Sequence, residues 1–128
     1  MSRSDNFSDN PEEIMRQLKN LGVELHNEIE NLKDKANKKA VAEAEYRKAF
    51  NIKIIELKSE GMSITLINDI AKGDEAIANL KVERDKFEAL FQASRYTINA
   101  LHDRISIGQS VLSWLKKEYS SVNITQEG

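Results

Sequence analysis

The chain contains no cysteine. That excludes disulfides, thiolate metal sites and a cysteine nucleophile, and it is compatible with a reducing compartment. Proline occurs once and glycine five times in 128 residues, so little in the chain interrupts a helix. Aromatic residues make up only 6%. Strand-like Val-Ile-Thr runs bounded by turn residues are missing, apart from a short one near Ile64. Neither sign of charge dominates: 19 basic against 21 acidic side chains leave a formal net charge of −2. Global charge therefore gives no reason to expect a nucleic-acid binder. No apolar run approaches the roughly 18 residues of a membrane span. The opening nine residues lack a signal peptide's apolar centre, so a cytoplasmic protein with no membrane partner is expected.

What the chain does have is helical periodicity. Ile77, Arg84, Phe91, Ile98, Ile105, Leu112 and Tyr119 recur at every seventh position, and Leu80, Phe87, Ser94, Leu101, Gly108 and Leu115 form a second series three residues behind. Alternating three-four spacing over about six heptads is a coiled-coil seam. Gly108 and Ser94, both small, would admit a bulky partner or a close helix crossing there. Asp74 and Glu75 open this helix as N-cap and first-turn acid.

A second long helix precedes it. Asn10 is a good N-cap, Pro11 a good first residue, and Glu12 and Glu13 suit the positive end of the helix dipole. Gly61 is its stop. In its first half the apolar residues are Ile14, Leu18, Leu21, Leu25, Ile29, Leu32, Ala36 and Ala40, an eleven-residue period that gives a nearly straight or slightly right-handed stripe. Beyond Ala40, Val41, Ala44, Ile52 and Ile55 line one side, and Tyr46, Phe50, Ile54 and Leu57 another. Between the long helices, Ser63 can cap a short helix, Ile64–Ala71, ending at Gly73. Ile64, Ile67 and Ile70 would plug the end of the bundle.

The expected fold is therefore all-α: two long antiparallel helices, a helical hairpin, joined by a short helix. Residues 1–9 are expected as a flexible arm, 10–119 as one hairpin domain and 120–128 as a flexible tail. Beside the main seam runs a second apolar row, Leu90, Ala93, Ala100, Ile107, Val111 and Trp114, interrupted by Thr97 and Arg104. One partner helix cannot cover both rows, and soluble monomers avoid large exposed apolar strips. Self-association follows, most simply as a homodimer forming a four-helix bundle. Phe91, Ile98, Leu101, Ile105, Leu112 and Leu115 from the seam are assigned to the oligomer interface, with Leu90, Ile107, Val111 and Trp114 from the second row.

Catalytic and metal signatures are absent. His26 and His102 lie on different helices, and Val23 and Asn99 stand where Glu-x-x-His metal spacing would need glutamates. Clusters such as Glu24-Asn27-Glu28 and Glu83-Arg84-Asp85 read as solvated faces. There is no Gly-x-Ser-x-Gly, P-loop or Gly-x-Gly-x-x-Gly. Neither enzyme activity, a cofactor nor a metal is expected. The densest basic cluster is Lys33, Lys35, Lys38 and Lys39, with Arg47 and Lys48 beyond it. These six are the candidate contacts for nonspecific, salt-sensitive phosphate binding, although Asp34, Glu43 and Glu45 dilute the field. Glu60–Lys72 is similar to the opening of a helix-turn-helix unit, but the helix after it is too long and opens too acidic for a recognition helix.

Ala44-Glu45-Tyr46-Arg47-Lys48, Leu57-Lys58-Ser59-Glu60-Gly61-Met62-Ser63-Ile64-Thr65-Leu66-Ile67 and Ala71-Lys72-Gly73-Asp74, continuing through Leu80, Glu83-Arg84-Asp85 and Ala89-Leu90, resemble a group of small helical proteins. Tailed phages and prophages of Gram-positive bacteria encode these proteins. The likeness spans roughly Val41 to Tyr119. Members tend to lie near phage replication and recombination functions, such as single-strand annealing proteins. The resemblance implies an accessory role in the bacterial host's cytoplasm, through a protein or DNA partner, and carries no catalytic motif. Two other roles fit the same architecture: an inhibitor or adaptor that binds a host protein, and a structural scaffold.

Overall fold

The computed structural model describes residues 6–127, with side chains as far as Ser121. Helix α1 (Pro11–Ser59) starts where Asn10 supplies both halves of a cap. The Asn10 side-chain oxygen accepts from the Glu12 amide at 3.0 Å, and its carbonyl accepts from the Ile14 amide at 3.0 Å. The first bond satisfies the Glu12 amide, one of those that a helix start leaves without a partner, and the second is the first intrahelical bond.

At the other end, Gly61 adopts φ +82°, a left-handed conformation that glycine takes without a Cβ penalty. Its amide donates to the Lys58 carbonyl at 3.0 Å, and the Met62 amide reaches back to Leu57 at 3.4 Å. That pair of bonds is a Schellman motif, which turns the chain out of the helix. Met62 then packs on a cluster of Leu57, Ile67 and Ala71, with Phe50, Ile54 and Ile70 around it. Burying Leu57 and Ile67 in this way contributes about 1.5–3 kcal/mol each.

Helix α2 (Ile64–Gly73) thus closes the turn through one face. Ile67 and Ala71 are buried and Ile70 is half-buried, but Ile64 is 73% exposed. Of the three isoleucines expected to plug the turn, Ile64 does not. Ser63 occupies the N-cap position without a side-chain bond. Helix α3 (Glu75–Glu127) begins at Asp74, whose carboxylate accepts from the Ile77 amide at 3.1 Å.

The chain divides into two compact units, Asn31–Ser94 and Met1–Glu30 with Arg95–Gly128. In the Asn31–Ser94 unit, Glu43 meets Arg84, Lys39 meets Glu88 and Lys35 meets Ser94. Numbers fall on α1 as they rise on α3, so the long helices pair antiparallel, as the hairpin reading expects. The α3 seam is as read from the sequence: Ile77, Ser94, Leu101 and Gly108 are buried and the positions between them are half-buried. Only Tyr119, at its end, is left 55% exposed.

The α1 stripe differs from expectation. Its inward positions keep a seven-residue period, Ile14, Leu21, Glu28, Lys35, Ala42 and Ala49 alternating with Leu18, Leu25, Leu32, Lys39, Tyr46 and Lys53. Ile29 and Ala40, which the eleven-residue period placed inside, are exposed. The physical reason is that lysine and glutamate can lay their aliphatic stems along a seam and direct their charged ends to a polar neighbour.

In the other unit, the segment expected as a mobile arm is docked over its described part. The Ser8 amide donates to the Gln17 side chain at 3.2 Å, and Gln17 donates to the Asn6 carbonyl at 3.4 Å. The Phe7 ring sits against Gly108, where an added Cβ would lie 2.7 Å from its Cε1 and Cζ and 2.6 Å from Leu18 Cδ2. The notch expected of a small seam residue is thus filled by an aromatic ring. The rest of that arm, residues 1–5, lies outside the described residues, as does residue 128. Helix α3 runs to Glu127 rather than ending near Tyr119, since no proline or glycine intervenes to stop it.

Two glycine substitutions should have opposite signs. Gly61→Ala is expected to cost about 1 kcal/mol because of its left-handed backbone. Gly22→Ala, in a helix with open space around the position, should gain about 0.5–1 kcal/mol. Urea unfolding of the two variants measures both. Gly108→Val is expected to expel the Phe7 ring, read as loss of hydrogen-exchange protection at the Ser8 amide.

Candidate functional site

The basic cluster and the apolar rows are the two candidate sites, and the structure treats them differently. Lys35 points into the seam and donates to the Ser94 hydroxyl at 2.7 Å. Ser94 is 2% exposed, so this contact satisfies a buried polar group. Lys39 pairs with Glu88 at 2.8 Å and lies 4.6 Å from the centre of the Phe91 ring, a charge pair reinforced by a cation–π contact. Both lysines are turned toward α3 rather than toward an outside ligand.

Lys38 and Arg47 are on the surface, bonded to same-helix carboxylates, Asp34 at 3.0 Å and Glu43 at 2.9 Å. Lys33 is also engaged. Lys48 alone of the six is exposed with no bond or ion pair among the described residues. The cluster that looks dense in sequence is therefore divided between a seam and a lattice of helix-surface pairs. Arg84, a charged residue on the α3 seam, is explained in the same way: it lies 4.4 Å from the Tyr46 ring centre and contacts Glu43 and Asp85.

The residues assigned to the oligomer interface also separate into two sets. Phe91, Ile98, Leu101, Ile105, Leu112 and Leu115 are buried or half-buried within the chain. Part of their apolar surface is spent on the hairpin itself. Their seven-residue spacing could not say which helix they faced. The second row is uncovered: Leu90 is 41%, Ile107 56% and Trp114 60% exposed, with Val111 half-buried. Around Trp114 the surface is an open groove of about 560 Å³ lined by Phe7, Ile107, Val111, Leu115 and Glu118.

A further uncovered face lies on α1 in the Asn31–Ser94 unit, where Val41 is 49%, Ile52 48% and Ile55 66% exposed. These belong to the side of α1 that the sequence separates from the Tyr46–Leu57 side, and only the latter faces inward. An open groove of about 360 Å³ runs here, lined by Glu45, Lys48, Ala49, Ile52 and Leu80. No group of three or more His, Asp or Glu side chains is arranged to hold a metal among the described residues. Both histidines are exposed. Among the described residues, no helix is long and apolar enough to cross a membrane. Compared with known proteins, the chain matches no family model, no curated protein and no solved structure.

Lys39→Ala is expected to lower stability by about 1 kcal/mol through loss of the Glu88 pair and the Phe91 contact. Lys48→Ala should change it by less than about 0.5 kcal/mol. Urea denaturation of the two variants distinguishes a seam lysine from a surface one.

Proposed function

We propose that this protein is a non-enzymatic association module: a helical hairpin that pairs with further copies of itself and, so assembled, engages a protein partner. One observation carries the reading. Large apolar side chains stand in water on both long helices, among them Ile52 and Ile55 on α1 and Ile107 and Trp114 on α3. Exposed apolar patches of this kind mark interfaces. A dimer would enclose it as a four-helix bundle.

The likeness of Val41–Tyr119 to phage and prophage helical proteins extends the proposal to its setting. That setting is accessory work in phage DNA replication or recombination, inside the bacterial host. Contact through protein is favoured over contact through DNA, because Lys35 and Lys39 are committed to α3 and Lys38 and Arg47 to their own helix.

Sedimentation equilibrium at micromolar concentration is expected to give a closed oligomer, a dimer in the simplest case. A monomer across that range would remove the reading, and open-ended growth would favour a scaffold instead. In gel shifts, single- and double-stranded DNA are expected to run free at moderate salt.

A further inference from the structure

Resting on the self-association reading, we infer which surface pairs and in which direction: α1 binds α1 of a second copy, antiparallel, through Val41, Glu45, Lys48 and Ile52. These four positions follow each other at four-three-four spacing, the repeat of a coiled-coil seam. They form a seam distinct from the one facing α3, displaced around the helix by a single residue. Val41 and Ile52 are about half exposed, and Glu45 and Lys48 are exposed. Among the described residues, no hydrogen bond or ion pair engages either charge. Small Ala44 and Ala49 flank the seam on either side, so a second helix can approach closely.

Charge decides the direction. In an antiparallel coiled coil, the two kinds of seam position lie opposite each other. A two-fold axis passing between Tyr46 and Arg47 then sets Val41 against Ile52 of the second copy and Glu45 against its Lys48. The symmetry repeats both contacts, as an isologous interface requires. The centre of the seam holds two reciprocal acid–base pairs, closed at each end by an apolar pair. A parallel arrangement would set Glu45 against Glu45 and Lys48 against Lys48, which repel. The groove beside this seam, floored by Leu80 and Ala49, offers the partner helix an apolar margin. The Leu90–Trp114 row on α3 has no comparable pairing of charge. Its central positions are Thr97, Ala100 and Arg104, and they select no partner orientation.

Charge exchange on the full-length chain tests the arrangement, with sedimentation as the readout and circular dichroism as a check on folding. Lys48→Glu alone and Glu45→Lys alone each put like charges across the axis twice, and each is expected to weaken the dimer by roughly tenfold or more. Mixing the two variants restores opposite charges at both pairs, so the mixture is expected to form a heterodimer near wild-type strength. The double variant Glu45→Lys/Lys48→Glu should form a homodimer near wild-type strength for the same reason. Ile52→Asp should give a monomer in every combination. A wild-type chain that is monomeric at high micromolar concentration would overturn both this inference and the self-association reading. A wild-type dimer that is indifferent to Lys48→Glu and Ile52→Asp but dissociated by Trp114→Asp would overturn this inference alone and move the interface to α3. Loss of association in the single variants without recovery on mixing would overturn the antiparallel pairing.

Discussion

A helix paired with one neighbour can bury only one of its faces, and much about this protein follows from that constraint. In α3 the buried face is the Ile77-to-Leu115 seam. In α1 it is the matching stripe from Ile14 to Lys53. Apolar surface that the sequence places elsewhere on either helix stays largely in water, as at Ile52, Ile55 and Trp114. At the turn the constraint is relaxed, because α2 supplies a third element. There Leu57, Ile67 and Ala71 reach near-complete burial and pack together as a cluster of buried residues.

The polar content of the seam follows from the same geometry. A two-helix contact is narrow and its edges are open to water, so a long charged side chain can enter with its stem and keep its head near solvent. Lys35, Lys39 and Arg84 do this, each ending on a specific acceptor or ring. The exposed ion pairs among them add little stability each. What they add is discrimination: Ser94, fully enclosed, has its partner only when Lys35 stands opposite.

The sequence was most legible where structure is decided locally. Asn10, Gly61 and Asp74 act through bonds to residues a few positions away, so each can be read as a cap from its neighbours alone. The α3 seam was legible because its apolar letters are numerous. The α1 seam was half legible, because Glu28, Lys35 and Lys39 are polar by composition and inward by position. Following the apolar residues alone shifted the stripe onto Ile29 and Ala40. The docking of Phe7 was not legible, since a lone aromatic in a polar segment has no period. Its one trace was Gly108, a gap in the seam awaiting something large. The basic cluster misled for a related reason: adjacency in the chain says nothing about whether an ammonium group already has a carboxylate beside it.

The left-handed glycine and the cluster behind it bear on how the molecule comes together. Leu57 and Ile67 are separated by a short stretch of chain, so closing that loop costs little entropy. Each further α1–α3 contact then encloses a longer stretch than the one before, up to Leu18 beside Gly108. Assembly that begins at the bend and proceeds like a zipper meets each closure in order of increasing chain length. Opening under load or denaturant would retrace the path from the other end, making the Phe7 contact the earliest to break and the bend the last to yield.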